Sequence, residues 1–169
     1  MRRLLEGIYS GAAVLAALCM VLLLLAVLLS IASRQLNFQA PGIDAYAGYL
    51  MAGAGFLALA HTLKRGEHIR VTLILNLLRG RWKRRMELWA LGAAALLALL
   101  FAFYSCNLAW QSHVFNDIST GNDATPLWLP QIAMALGTVV LAIAFVDELV
   151  LEMLDRREQV QSSEALRNE

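Results

Sequence analysis

The sequence predicts an all-α integral membrane protein with four transmembrane helices, both termini in the cytoplasm, and a short interfacial helix between spans two and three. The composition is the first reason. Hydrophobic residues make up 59% of the 169 residues and charged residues 16%, whereas soluble domains contain roughly 45 to 50% apolar residues. The other two reasons are four long apolar runs and a one-sided distribution of Lys and Arg.

The four predicted spans cover residues 8–32, 44–63, 86–110 and 127–151. Each is long enough to cross the hydrocarbon core, which takes about 20 residues. The first run shares features with a secretory signal peptide, but the apolar part of such a peptide has only about 7 to 15 residues. We therefore expect a retained helix. Residues 1–157 are assigned to a single four-helix membrane domain and residues 158–169 to a flexible cytoplasmic tail.

The basic residues predict the orientation. Of the 14 Lys and Arg residues, two precede span one, eight lie between spans two and three, and three follow span four. Arg34 alone falls on the opposite side, and the loop at residues 111–126 has no Lys or Arg but contains Asp117 and Asp123. Because cytoplasmic loops are enriched in Lys and Arg, both termini are predicted to be cytoplasmic.

The segment at residues 69–78 is apolar but too short to span a bilayer, and a basic stretch follows it. We interpret the segment as an interfacial or re-entrant helix. The basic stretch is predicted to bind anionic lipid headgroups. Its predicted lipid-anchoring residues are Arg79, Arg81, Trp82, Lys83, Arg84 and Arg85.

Small residues recur at helical spacing in three spans, which predicts close helix packing, either within the chain or on a partner. They are Gly48, Ala52 and Gly55 in span two, Ala94, Ala98 and Ala102 in span three, and Ala133 and Gly137 in span four. Span one is rich in leucine and valine, as expected for a surface that meets lipid or a large apolar partner.

No residue pattern indicates chemistry within the bilayer. The first three spans have no charge at residues 8–33, 45–60 and 88–110, whereas self-sufficient transporters usually place an ionisable residue near the midplane. Asp147 and Glu148 lie toward the cytoplasmic end of span four, where pairing with the basic loop is favoured over ion coupling. We therefore predict no catalytic residues and no enzymatic activity.

Cofactor and metal sites are not predicted either. His61 and His113 fall at opposite ends of their spans, so they are too far apart to bind one haem iron. Cys19 and Cys106 lie inside apolar runs without a CxxC spacing, which indicates neither zinc nor a disulfide. The net charge of +1 gives no indication of a nucleic-acid partner.

One motif carries a family resemblance. The stretch Gly66, Glu67, His68, Ile69, Arg70 and Val71 follows span two and precedes the short apolar segment. With Arg34 after span one, Asp44 opening span two, Pro126 and Pro130 entering span four, and Gly137 within it, the chain resembles the small membrane subunit (DctQ type) of tripartite ATP-independent periplasmic (TRAP) transporters. Thr72 departs from the pattern, because an aspartate is expected after the motif.

The resemblance implies a three-part transporter in the bacterial inner membrane. A periplasmic binding protein would deliver an organic acid to a large membrane subunit, which moves it by an elevator motion coupled to sodium. The sodium is expected in that large subunit, with no cofactor in this chain, which would be a fixed scaffold. The outward loops, residues 34–43 and 111–126, are expected to help dock the binding protein.

Alternatives stay open at this stage. The motif at residues 66–71 is either a structural joint with the large subunit or a loop that ends span two and starts the interfacial helix. The whole chain could instead be a stand-alone small four-helix exporter, although it lacks the mid-span carboxylate expected of one. A haem-linked or quinone-linked membrane enzyme is the third alternative, and the unpaired histidines argue against it.

Overall fold

The computed structural model describes residues 2–38, 41–64, 81–121 and 123–154. Within these ranges the chain forms four helices: α1 (Arg2–Gln35), α2 (Ile43–Lys64), α3 (Arg81–Val114) and α4 (Trp128–Met153). All four are long and apolar enough to cross a membrane. The four predicted spans are therefore confirmed. The predicted interfacial helix at residues 69–78 and the predicted tail at residues 158–169 lie outside the described residues.

The helices form an open row in the order α1, α2, α4, α3. Helix α2 packs between α1 and α4, and α4 packs between α2 and α3. Helix α1 approaches α4 at only a few positions, and no backbone packing joins α1 to α3 within the described ranges. The row therefore has two broad sides, in contrast to a closed four-helix bundle in which each helix packs against two neighbours.

Small side chains form the contact between neighbouring helices. Ala60 and Ala144 are completely buried where α2 meets α4, and Ala98 and Ala102 of α3 pack on Ala142 of α4. Helices in lipid gain little from the hydrophobic effect between them, so close van der Waals approach must hold them together. The packing face predicted for span three is confirmed at Ala98 and Ala102.

The small-residue face predicted for span two does not lie at a contact between helices. Gly48, Ala52 and Gly55 are exposed, and a Cβ atom built on Gly48 or Gly55 would meet no atom within 4 Å. Within the described residues this face packs on no other helix, so packing on a partner stays the prediction for it. Helix α2 instead uses the opposite side, with Gly53, Ala54 and Leu57 buried, because both of its neighbours lie there.

The connection from α1 to α2 and the connection from α3 to α4 lie at one end of the row, which we call the loop face. The other end, where α2 finishes at Lys64, is the Lys64 face. At the loop face α1 and α3 finish in the same way: Asn37 and Asn116 have φ angles of 54° and 52°. Phe38 N–H donates to the Ser33 carbonyl at 3.1 Å and Asp117 N–H to that of Ser112 at 3.0 Å. Both are the left-handed terminations that satisfy the last carbonyls of a helix.

Candidate functional site

Arg34 and Asp44, two residues of the resemblance, lie together at the loop face. Asp44 is in the first turn of α2, where the helix dipole favours a negative charge. Ser30 Oγ donates to Asp44 Oδ1 at 2.7 Å, and Arg34 donates to Asp44 Oδ2 at 3.2 Å. The ion pair is open to solvent, with side-chain exposures of 74% and 71%. This contact joins the end of α1 to the start of α2, and an exposed pair of this kind contributes little stability.

A second polar cluster, the Asp123 cluster (Tyr49, Ser119, Asp123 and Thr125), ties the long loop to α2. The hydroxyl of Tyr49 donates to Asp123 Oδ2 at 3.0 Å, and Ser119 Oγ donates to Asp123 Oδ1 at 2.9 Å. The side-chain hydrogen bond from Thr125, helped by those from Ser119 and Tyr49, lowers the pKa of Asp123 although desolvation opposes it. A carboxylate that accepts several hydrogen bonds is stabilised in its charged form.

The two loops also touch through their backbones. A Cβ atom on Gly42 would lie 2.8 Å from the Cβ atom of Asp123, and the φ angle of Gly42 is +80°, a conformation that side chains disfavour. The hydroxyl oxygens of Thr125 and Tyr46 lie 3.1 Å apart, within hydrogen-bond distance. Within the second loop, the backbones of Ile118 and Pro126 form a bridge. The described parts of the loops at residues 34–43 and 111–126 are thus in contact.

The Lys64 face holds a buried charge cluster, the Lys64 cluster (Tyr9, Lys64, Asp147 and Glu148). Lys64 Nζ donates to the carboxylate of Asp147 and, at 3.2 Å, to Glu148 Oε1. Nζ also lies 5.4 Å from the centroid of the Tyr9 ring, within range of a cation–π interaction. The side chains of Lys64, Asp147 and Glu148 are 19%, 25% and 8% exposed. The prediction that these carboxylates pair with basic residues is confirmed at Lys64.

Trp82 and Arg85 begin α3 at the Lys64 face. Trp82 is 65% exposed, and the Arg85 guanidinium lies 5.6 Å from its ring centroid. An exposed Trp beside an Arg is typical of a membrane interface. This placement agrees with the predicted lipid anchoring by Trp82 and Arg85, which stays a prediction. Arg79, the motif at residues 66–71, and the side chains of Arg81 and Lys83 lie outside the described part of the chain.

The described histidines do not converge. His61 is near the Lys64 face, whereas His113 is at the loop face with its ring 5.2 Å from that of Trp128. In the described ranges no group of three His, Cys, Asp or Glu side chains is placed to hold a metal ion. The separation predicted for His61 and His113 is confirmed.

Sequence reasoning did not find Tyr9 or Tyr49. Tyr9 is 5% exposed and joins α1 to the Lys64 cluster, and Tyr49 joins α2 to the long loop. Their sequence signal was weak, since each is a single tyrosine near the end of an apolar run. The pairing of α2 with the loop before α4 explains why a hydroxyl group is useful at Tyr49. Tyr9 instead contributes its ring, which lies under the Lys64 ammonium.

Comparison with known proteins identifies the family. The family model described as "Tripartite ATP-independent periplasmic transporters, DctQ component" matches residues 23–155, from the middle of α1 to the end of α4. A search of curated proteins gave no match. With most of its length matched, including the Arg34–Asp44 contact and the whole of α2, α3 and α4, this four-helix membrane protein belongs to the DctQ family, the small membrane component of TRAP transporters.

Proposed function

We propose that the chain is the scaffold subunit of a TRAP-type secondary transporter in the bacterial inner membrane, with both termini cytoplasmic. It works with a large membrane subunit and a periplasmic binding protein to import an organic acid coupled to sodium. The chain itself catalyses no reaction and carries no substrate. Its role is to hold the stationary part of the complex while the large subunit moves substrate.

The open row of helices is the observation that carries this proposal. A closed bundle buries its own apolar faces, whereas this row leaves both broad sides uncovered. Helix α1 has only 11% of its most apolar window buried, and α2 exposes the small residues Gly48, Ala52 and Gly55. A row with two open sides is suited to packing on a second membrane protein on one side while facing lipid on the other.

The distribution of charge supports a stationary role. The charged side chains of the described residues lie toward the two ends of the helices, and the pairs Arg34–Asp44 and Lys64–Asp147 join neighbouring helices at opposite faces. A subunit that bound an ion or solute in transit would need polar groups at mid-depth. Contacts at both ends instead resist shearing of one helix past the next.

The loop face is the proposed contact for the binding protein. Its two loops are joined through Gly42 and the Asp123 cluster, so they present one preorganised surface. Phe115 and Ile118, exposed at 73% and 58%, lie beside the acidic residues Asp117 and Asp123. A preordered surface loses less conformational entropy when a partner docks.

Proteoliposome transport tests the proposal against the alternative of a stand-alone exporter. Liposomes would contain the large subunit alone, this chain alone, or both, with binding protein, labelled organic acid and a sodium gradient supplied outside. We expect sodium-dependent uptake only when both membrane proteins are present. Transport by this chain alone would favour the exporter, and full uptake by the large subunit alone would contradict a required scaffold.

A further inference from the structure

We propose that the groove between the start of α1, α3 and α4 binds one glycerophospholipid with a primary ammonium headgroup, with the ammonium on Asp147 and an acyl chain along the groove. The inference goes beyond the scaffold role and does not depend on it. It requires only that the four helices lie in a bilayer.

The groove is apolar along almost its whole length. It encloses about 660 Å³ and is open on one side. Its walls are formed by Leu99, Phe103 and Cys106 of α3 and by Val139 and Ile143 of α4, with Leu5 of α1 at the Lys64 face. Such walls offer dispersion contacts to a hydrocarbon chain and no hydrogen bonds.

The length of the groove corresponds to one leaflet. On α4 its lining runs from Val139 to Val150, which is about 17 Å at a rise of about 1.5 Å per residue. Half of a hydrocarbon core that is about 30 Å thick is about 15 Å. The groove therefore extends from the level of the headgroups to about the bilayer centre, as an acyl chain does. A transmembrane helix would need a groove of about twice this length.

Asp147 supplies the polar end of the groove. It is a lining residue and is 25% exposed, and Lys64 contacts only its Oδ2 atom. Lys64 Nζ also donates to Glu148 Oε1 at 3.2 Å, so this cation is not reserved for Asp147. A primary ammonium can donate a charge-assisted hydrogen bond to the carboxylate of Asp147. A quaternary ammonium has no N–H group to donate, and the glycerol headgroup of phosphatidylglycerol carries no cation for this carboxylate.

Native mass spectrometry of the purified full-length chain tests the inference. The protein is stripped of lipid in detergent and titrated with phosphatidylethanolamine, phosphatidylcholine or phosphatidylglycerol with identical acyl chains. We expect one tightly bound phosphatidylethanolamine, with an affinity about tenfold higher than for the other two lipids, in line with one charge-assisted hydrogen bond. Equal binding of the three lipids would overturn the proposal.

Two variants separate the headgroup contact from the groove. Asp147→Asn should remove the preference for phosphatidylethanolamine and retain acyl-chain binding, whereas Glu152→Gln, which changes a carboxylate outside the groove lining, should have no effect. Cys106→Trp should fill the groove and weaken binding of phosphatidylethanolamine at least about tenfold. Leu97→Trp is its control, because Leu97 is 66% exposed and does not line the groove.

The remaining outcomes are also decisive. Because Asp147→Asn removes a partner of Lys64, it could unfold the chain; Cys106→Trp leaves that ion pair intact and tests the groove by itself. If Cys106→Trp bound phosphatidylethanolamine as the unchanged chain does, the groove would not be the binding site. If Cys106 in the extracted complex crosslinked to another protein chain and no lipid were retained, a protein helix would occupy the groove and the proposal would be wrong.

Discussion

Gly137 of α4 lies directly against the backbone of Phe56 of α2. A Cβ atom at Gly137 would be 2.5 Å from the Phe56 carbonyl carbon and 2.5 Å from its oxygen, so neither helix could keep its position if this residue had a side chain. The ring of Phe56 continues past this point to a centroid 6.0 Å from that of Phe101 in α3. The close approach of α2 and α4 at this point therefore depends on one glycine.

We predict that Gly137→Ala destabilises the chain by about 2 kcal/mol, because overpacking a close contact typically costs about 1 to 3 kcal/mol. The measurement is the thermal unfolding midpoint of the detergent-solubilised protein. Gly92→Ala in α3 is the control: its Cβ would meet nothing within 4 Å, so it should stabilise the helix by about 0.5 to 1 kcal/mol. Equal effects of the two substitutions would contradict the close contact.

The Lys64 cluster predicts a large effect for a single charge. Lys64→Met leaves the carboxylates of Asp147 and Glu148 without this cation in a largely buried position, and breaking a buried pair costs about 3 to 5 kcal/mol. We expect a lower unfolding midpoint and recovery of part of the loss when Asp147→Asn is added. Arg34→Gln removes the exposed pair with Asp44 and should cost less than about 1 kcal/mol. If the two single variants were equally stable, the Lys64 cluster would not join α2 to α4.

The lowered pKa of Asp123 predicts acid sensitivity of the loop face. Its stabilising contribution is fully present above the ordinary Asp pKa of about 3.9 and is lost as the pH falls through the lower pKa of the folded protein. The protection factors of residues 111–126 against hydrogen exchange, which compare the observed rate with the intrinsic rate at the same pH, should therefore fall below about pH 4. Asp123→Asn should give fast exchange already at neutral pH, and Asp117→Asn should not. Slow exchange at all pH values in Asp123→Asn would count against the cluster.

The motif at residues 66–71 gives a prediction that rests on sequence alone. If it is a joint with the large subunit, Arg70→Ala or His68→Ala should lower the yield of the complex and uptake of substrate, while the chain itself still inserts and folds. Complex yield is measured by pull-down and folding by thermal unfolding. Unchanged yield and transport would favour the alternative, a loop that ends span two.

The helices could be predicted from the sequence because apolar runs of this length have few alternatives in lipid. The ends of the helices could not be predicted in this way. Helices α1 and α3 each have 34 residues and are longer than the apolar runs inside them. An apolar run in the sequence ends at the first charged residue, such as Arg34 or Arg85. Helical hydrogen bonding continues past that residue, and α1 and α3 end only where Asn37 and Asn116 adopt a positive φ angle.

The order in which the helices pack could not be predicted from the sequence, because it depends on which helices are neighbours. Gly48 and Gly53 are equally small, and only the positions of α1 and α4 decide that Gly53 is buried and Gly48 exposed. In the same way, Asp147 could be assigned to a basic partner from charge alone, but the choice of Lys64 depends on α2 and α4 being neighbours. Contacts between the two loops, such as Gly42 with Asp123, had no sequence signal beyond a glycine in a turn.

Co-purification tests the central claim most directly. The C-terminus is tagged, the membrane is extracted in mild detergent, and the proteins that elute with the chain are identified and quantified by mass spectrometry. The scaffold account predicts a large polytopic membrane protein in a one-to-one ratio with this chain. Elution of the chain alone, or only as a homo-oligomer, would contradict it and make the stand-alone exporter the function to test.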